Sequence, residues 1–176
     1  MIFSETTLKG AFVIDLEPFT DERGFFALSW SASEFSQRGL TGELQECNIS
    51  FNRRQGTLRG LHYQSEPHAQ AKLVRCTAGA IYDVIVDLRS GSPTFKQWIA
   101  VELNAQNRVA LYVPKGFAHG FQTLTDNAEI FYQMSDVYAP DLAAGVRWND
   151  PAFAIEWPAP PEAMTDRDRT YSDFHG

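Results

Sequence analysis

From residue 12 to residue 135 the chain is a succession of short β-branched and aromatic segments cut apart by turn residues. That pattern admits few folds: it is an all-β antiparallel sandwich or barrel. The clearest segment spans 80–88. On an extended chain Ile81, Asp83, Ile85 and Asp87 point one way and Tyr82, Val84, Val86 and Leu88 the other, so the second face is uniformly apolar. Further strands are expected at 97–103, 108–113, 117–124 and 128–133. Turns at Ser90-Gly91-Ser92-Pro93, at 104–107 and at Thr125-Asp126-Asn127 make the run read as one hairpin after another. A short early helix is expected as well, since Ser31 or Ser33 can cap a turn through Phe35 and Gly39 can end it. After Pro151 the composition changes. Pro151, Pro158, Pro160 and Pro161 discourage strand and helix alike, while Trp157 and Tyr171 predict a tail that wraps over the core.

A chain of 176 residues suits a single domain, 1–176, with one sizeable core. No apolar run approaches the ~18 residues a membrane span needs. The first residues also lack the basic stretch and apolar segment of a secretory signal, so the expected address is the cytoplasm, with no membrane partner. A formal charge of −7 argues against nucleic acid as a partner, because neutralising phosphates calls for a basic stripe. An anionic ligand would need a local basic pocket, for which Arg23, Arg53, Arg54, Arg59, Lys72 and Arg75 are the candidates. The two cysteines, Cys47 and Cys76, form no CxxC pair and are read as reduced and structural.

Two of the four histidines sit in dense contexts. In Arg59-Gly60-Leu61-His62-Tyr63-Gln64 a strand-borne histidine near an arginine and Lys72 can be a general base beside an anion site. The other reading is a core histidine with satisfied hydrogen bonds. Strict alternation sets Arg59 and His62 on opposite faces, so the catalytic reading requires a bulge or a strand end between them. The second context, Pro114-Lys115-Gly116-Phe117-Ala118-His119-Gly120-Phe121, contains the PxGxxH spacing of the second cupin motif. The HxH pair and Glu of the first cupin motif have no counterpart at His62-Tyr63-Gln64, so a three- or four-ligand metal site looks incomplete. The expectation is a cupin-type jelly roll without a metal, in which His119 donates a hydrogen bond; the other reading of His119 is a turn histidine packed under Phe117. Tyr132 is expected in the hairpin partner of the His119 strand, and a two-residue turn at Thr125-Asp126 would put the two side chains on one face.

Together these segments resemble the dTDP-4-dehydrorhamnose 3,5-epimerase family. The resemblance is carried by Asp21-Glu22-Arg23-Gly24-Phe25-Phe26, the 59–64 run, Lys72-Leu73-Val74-Arg75-Cys76, the 114–121 run, Tyr132-Gln133 and Gly145-Val146-Arg147-Trp148-Asn149-Asp150-Pro151. It implies an isomerase that needs no cofactor, works on a nucleotide-linked 4-keto-6-deoxy sugar and is a homodimer, on a route to a rhamnose-type sugar for polysaccharide. By position it makes His62 the base, Asp168 its carboxylate partner, Tyr132 the acid on the opposite face and Lys72 the cation at the enolate oxygen. It further implies that Arg23, Arg59, Asn48, His119 and Arg167 hold sugar and diphosphate, and that Phe19 lines the substrate site. The chain departs from the family's pattern at Leu28 and Ala144, where glutamate is usual, and at Glu46, where glutamine is usual.

Those departures keep alternatives open: an enzyme inverting C3 alone, or an epimerase of another nucleotide-linked sugar such as a GDP-keto-heptose. More distant rivals are a metal-dependent cupin enzyme with His62 and His119 as ligands, and a sugar-binding cupin without catalysis.

Overall fold

The 80–88 alternation is a strand buried along nearly its whole length in the computed structural model, which describes residues 1–175. In chain order the strands are β1 (Ile2–Glu5), β2 (Phe12–Asp15), β3 (Phe19–Asp21), β4 (Gly24–Phe26), β5 (Glu46–Asn52), β6 (Leu58–Gln64) and β7 (Lys72–Ala78). They continue as β8 (Ala80–Asp87), β9 (Trp98–Asn104), β10 (Ala110–Val113), β11 (Phe117–Thr123), β12 (Ala128–Met134) and β13 (Ala143–Gly145). A six-stranded sheet, ordered β1-β2-β10-β7-β12-β5, faces a five-stranded sheet, ordered β13-β6-β11-β8-β9; β3 and β4 form a separate hairpin. Every ladder among these strands is antiparallel, as in a cupin-type jelly roll.

The faces of β8 fall out differently from a one-sided reading of its pattern. Ile81 and Ile85 join Val74, Leu103, Leu111, Phe117 and Ile130 in the core between the sheets, so Asp83 points into the sandwich with them. Val84 and Val86 lie on the outer face, under Phe153, Ile155, Trp157 and Phe174 of the tail. The tail therefore wraps, held by Trp157 Nε1 donating to Trp148 O (2.8 Å) and Phe174 N donating to Asp150 Oδ2 (2.6 Å). Each large side chain buried this way is worth roughly 1.5–3 kcal/mol. The opposite outer face is covered around Phe35, from α1 (Ala32–Gln37). Ser31 caps that helix by accepting from Glu34 N, and Gly39 leaves it at a φ of +70°.

Two expectations need correction. β8 and β9 do form a hairpin, but β9 does not pair with β10, nor β11 with β12: β10 lies between β2 and β7, β11 between β6 and β8, and β12 between β7 and β5. The Thr125–Asn127 turn carries the chain from one sheet to the other. From β9 to β13 successive strands alternate between the two sheets, and a local turn signal does not reveal which sheet comes next. The cysteines also differ from each other. Cys76 is buried, and burial pushes its thiol up to about 11, whereas Cys47 is exposed on β5.

Candidate active site

The site begins with an irregularity in β6. His62 is paired with His119 and Arg59 with Phe121, so Gly60 and Leu61 together stand opposite Gly120 alone. This bulge turns the odd spacing of Arg59 and His62 into a shared face, and both side chains enter one cavity. Gly60 takes a φ of +114°, and a Cβ there would stand 2.6 Å from Gly120 Cα. A Cβ on Gly120 would stand 2.6 Å from Arg59 O. The two backbones can touch only because both residues are glycine.

The cavity opens between the sheets in two lobes. The first, of about 290 Å³, is lined by Arg59, His62, Lys72, His119, Tyr132, Arg167 and Asp168 among others. The second, of about 390 Å³, is lined by Glu46, Asn48, Gln64, Gln70, Tyr138 and Ala144 among others. His62, Lys72, Tyr132 and Arg167 border both, so the lobes form one cleft with these side chains at the seam.

His62 comes from β6, and its Nε2 lies 2.7 Å from Asp168 Oδ1. Asp168 belongs to a short helix, α2 (Asp166–Arg169), capped by Thr165, whose hydroxyl accepts from Asp168 N at 3.3 Å. The other carboxylate oxygen accepts from Gly60 N at 3.2 Å, which ties the helix to the bulge. Burial pushes the Asp168 carboxyl up, but the hydrogen bonds from His62 and Gly60 outweigh it and hold the pKa below the ordinary carboxylate value. Asp168 is thus an anion at neutral pH, able to orient the imidazole and stabilise its protonated form. The Tyr171 ring packs edge-on against His62, with centroids 6.3 Å apart.

Tyr132 enters from β12 in the other sheet. Burial raises its pKa, with Arg59 pulling the other way, so the phenol keeps its proton at neutral pH and can donate it. Lys72, from β7, donates to His62 O at 3.4 Å. Burial lowers its pKa to about 8, with the Asp83 carboxylate acting in opposition. Arg59 is steadied by Asn52, whose Oδ1 accepts from Nε at 2.7 Å, and Arg167 donates from Nη2 to Ala143 O at 3.1 Å. His119 Nε2 lies 2.7 Å from Asp83 Oδ1, and both residues are buried.

The structure therefore brings His62, Tyr132, Asp168, Lys72, Arg59, His119 and Arg167 together in the first lobe and puts Asn48 in the second. His119 and Tyr132 line the one lobe from opposed sheets, not along a hairpin. Phe19 and Arg23 stay outside both lobes. Phe19 is 76% exposed on the β3–β4 hairpin, and Arg23 is paired there with Asp21. Of the departures from the family pattern, Glu46 and Ala144 line the second lobe, while Leu28 is exposed away from it. Among the described residues no group of three or more His, Cys, Asp or Glu side chains is arranged to hold a metal ion. Sequence reasoning passed over Asp83, Gly60, Gly120 and Tyr138. The available signals were a carboxylate on an isoleucine face and a glycine in the middle of each of two strands.

A family model described as dTDP-4-dehydrorhamnose 3,5-epimerase matches residues 5–175. The chain is 42% identical over 165 residues to the dTDP-4-dehydrorhamnose 3,5-epimerase of Shigella flexneri, an alignment covering 93% of this chain and 91% of the relative. The crystal structure of dTDP-4-dehydrorhamnose 3,5-epimerase from Elizabethkingia anophelis NUHP1 superposes with a TM-score of 0.96 at 38% identity, covering 99% of this chain and 96% of that one. The enzyme of the same name from Bacillus anthracis strain Ames, with TDP and PPi bound, gives 0.93 at 43% identity, covering 98% and 99%.

Proposed function

The chain belongs to the dTDP-4-dehydrorhamnose 3,5-epimerase family, and we infer from its cleft how it inverts C3 and C5 of a dTDP-linked 4-keto-6-deoxy sugar. The ketone at C4 makes either neighbouring C–H acidic enough to lose its proton to a positioned base. His62 takes that proton, and Asp168 stabilises the resulting imidazolium. The electron pair moves onto the C4 oxygen as an enolate, where the Lys72 ammonium offsets the charge. Tyr132 delivers its phenolic proton to the other face of the carbon, completing the inversion. An imidazolium and a phenolate remain, and solvent restores both before the second carbon reacts. Each positioned proton-transfer group typically contributes about 10²–10⁴ in rate. The sequence requires no cofactor.

The single observation that carries this mechanism is the entry of His62 and Tyr132 into one lobe from opposed sheets. Inversion needs a base on one face of a carbon and an acid on the other. Arg59 and Arg167 are suited to the diphosphate, since guanidinium forks donate paired hydrogen bonds to phosphate oxygens. TDP in the Bacillus anthracis relative supports a nucleoside diphosphate as the other end of the substrate.

The active form is a homodimer in the cytoplasm, supplying a polysaccharide-building route. Ile49 and Phe51 are exposed on the edge strand β5, and Phe19 and Phe26 on the β3–β4 hairpin, an apolar surface that a second copy would cover. A partner's hairpin reaching across would also bring Phe19 and Arg23 to a site from which a single chain leaves them apart. No helix among the described residues is long and apolar enough to cross a membrane. A second reading, turnover of a sugar on another nucleotide, is favoured by one observation: Glu46 and Ala144, two of the departures from the family's pattern, line the second lobe.

The test is incubation with dTDP-4-keto-6-deoxyglucose in D₂O, following C3 and C5 by NMR. Deuteration at both carbons, lost in His62→Ala, is expected. Exchange at C3 alone overturns the double inversion, and exchange at neither shifts the substrate to another nucleotide or sugar.

A further inference from the structure

Asp83 is costly where it stands. β8 points it between Ile81 and Ile85 into the core, where an unpaired charge is strongly disfavoured. One oxygen is compensated, because Oδ1 lies 2.7 Å from His119 Nε2. The other, Oδ2, is sealed from solvent and has no hydrogen-bond partner. Asp168, in the same cleft, uses both of its oxygens. A carboxylate kept in a core with one oxygen unshared calls for an electrostatic partner.

The cation on which the Asp83 charge acts is Lys72, which enters the first lobe, where His119 also stands, from the opposite sheet. Its surroundings are Arg59 and His62 on β6, His119 on β11, Tyr132 on β12, Arg167 and Asp168 on α2, Asp83 on β8 and, in the second lobe, Glu46 on β5. Two of these are cations that disfavour a protonated lysine, as burial does. Of the three carboxylates, Asp168 is engaged by His62 and Gly60, and Glu46 accepts the Tyr138 N–H at 3.0 Å. Asp83 is the one that acts on the Lys72 charge against burial.

We propose that Asp83 is a positioning residue of the site, fixing His119 through Oδ1 and supplying, through its unshared Oδ2, the counter-charge that keeps the Lys72 ammonium protonated inside the sandwich. Its consequence for catalysis rests on the mechanism above, in which only the charged lysine can offset an enolate. The protonation of Lys72 can be measured without substrate.

The experiment titrates protein labelled with ¹³Cε-lysine by NMR, the Lys72 signal being assigned by its loss in Lys72→Met. In Asp83→Asn, which keeps an oxygen for His119, the Lys72 midpoint is expected to fall by about one pH unit or more. The alkaline limb of C3 and C5 exchange should move by the same amount, lowering the rate above neutrality about tenfold. An unchanged Lys72 midpoint overturns the proposal, even if the variant is less stable. Should Asp83→Asn not fold, Asp83→Ser decides by the same reading: the Lys72 midpoint should again fall, and a midpoint equal to the parent's overturns the proposal. Failure of the epimerase reading would appear separately, as a Lys72 midpoint that falls in Asp83→Asn while neither carbon exchanges in the parent protein.

Discussion

Asp168 Oδ1 lies 2.7 Å from His62 Nε2, although 106 positions separate the two residues in the chain. The pairing is enforced from both sides: Gly60 N–H binds the second carboxylate oxygen, and the Thr165 cap holds the helix that carries it. Asp168→Asn keeps the size of the side chain and removes its charge. Its turnover is expected to fall on the order of 10²–10⁴-fold with the thermal midpoint little changed, measured by epimer formation beside a melting curve. Near-normal turnover would remove Asp168 from the mechanism.

Tyr132 faces the same lobe from the other sheet, and burial keeps its phenol protonated. Tyr132→Phe should still let His62 take a proton, so deuterium exchange with retention should persist while inverted product falls on the order of 10²-fold. Product NMR in D₂O separates the two outcomes. Epimer formed at the parent rate would assign the acid elsewhere.

The pH profile should carry the mark of Lys72. Burial lowers its pKa to about 8; below that value it is charged, and above it the stabilisation of the enolate is lost. Exchange and turnover should therefore decline as pH rises through about 8. Asp168, with its pKa shifted down, stays ionised throughout that range and adds no limb of its own. Lys72→Met should be slow at every pH and lack the limb, and a limb that survives in this variant would belong to another group.

The contact of Gly60 with Gly120 predicts that Gly60→Ala is destabilising by at least about 2 kcal/mol, since it adds a Cβ at a positive φ and against a backbone atom. Urea unfolding measures the cost directly. A neutral effect would mean that the bulge relaxes freely.

Asp87 predicts an acid dependence outside the site. Burial raises its pKa, but hydrogen bonds from Arg89, Ser92 and Thr94 bring it down to about 2. A carboxyl depressed in the folded state stabilises above its unfolded pKa near 4 and loses that contribution as pH falls toward 2, about 2 kcal/mol in all. Asp87→Asn should be less stable at neutral pH, and its deficit against the parent should shrink between pH 4 and 2 in denaturation curves.

What could be read in the sequence was what is local. The cap at Ser31, the strand around Val84 and the wrapping tail follow from residues close together in the chain, and the site residues came from motifs that resemble a family. The rest depends on partners distant in sequence. The Thr125-Asp126 turn looks like any hairpin turn, yet its strands join different sheets, so Tyr132 and His119 enter the lobe from opposite sides. Arg59 and His62 share a cavity because the ladder slips at Gly60, a matter of pairing with Gly120 that neither segment reveals alone. Asp83 could be read as a charge on an apolar face, but its partner His119 is known only once β8 lies beside β11.

The tail has two duties that cannot be separated. The segment that shields the outer face of the five-stranded sheet with Phe153, Ile155 and Trp157 continues, through residues 158–165, into the helix bearing Asp168. A molecule whose tail has come loose would be sticky and inert together, because the same peeling event bares a greasy sheet and disarms the histidine.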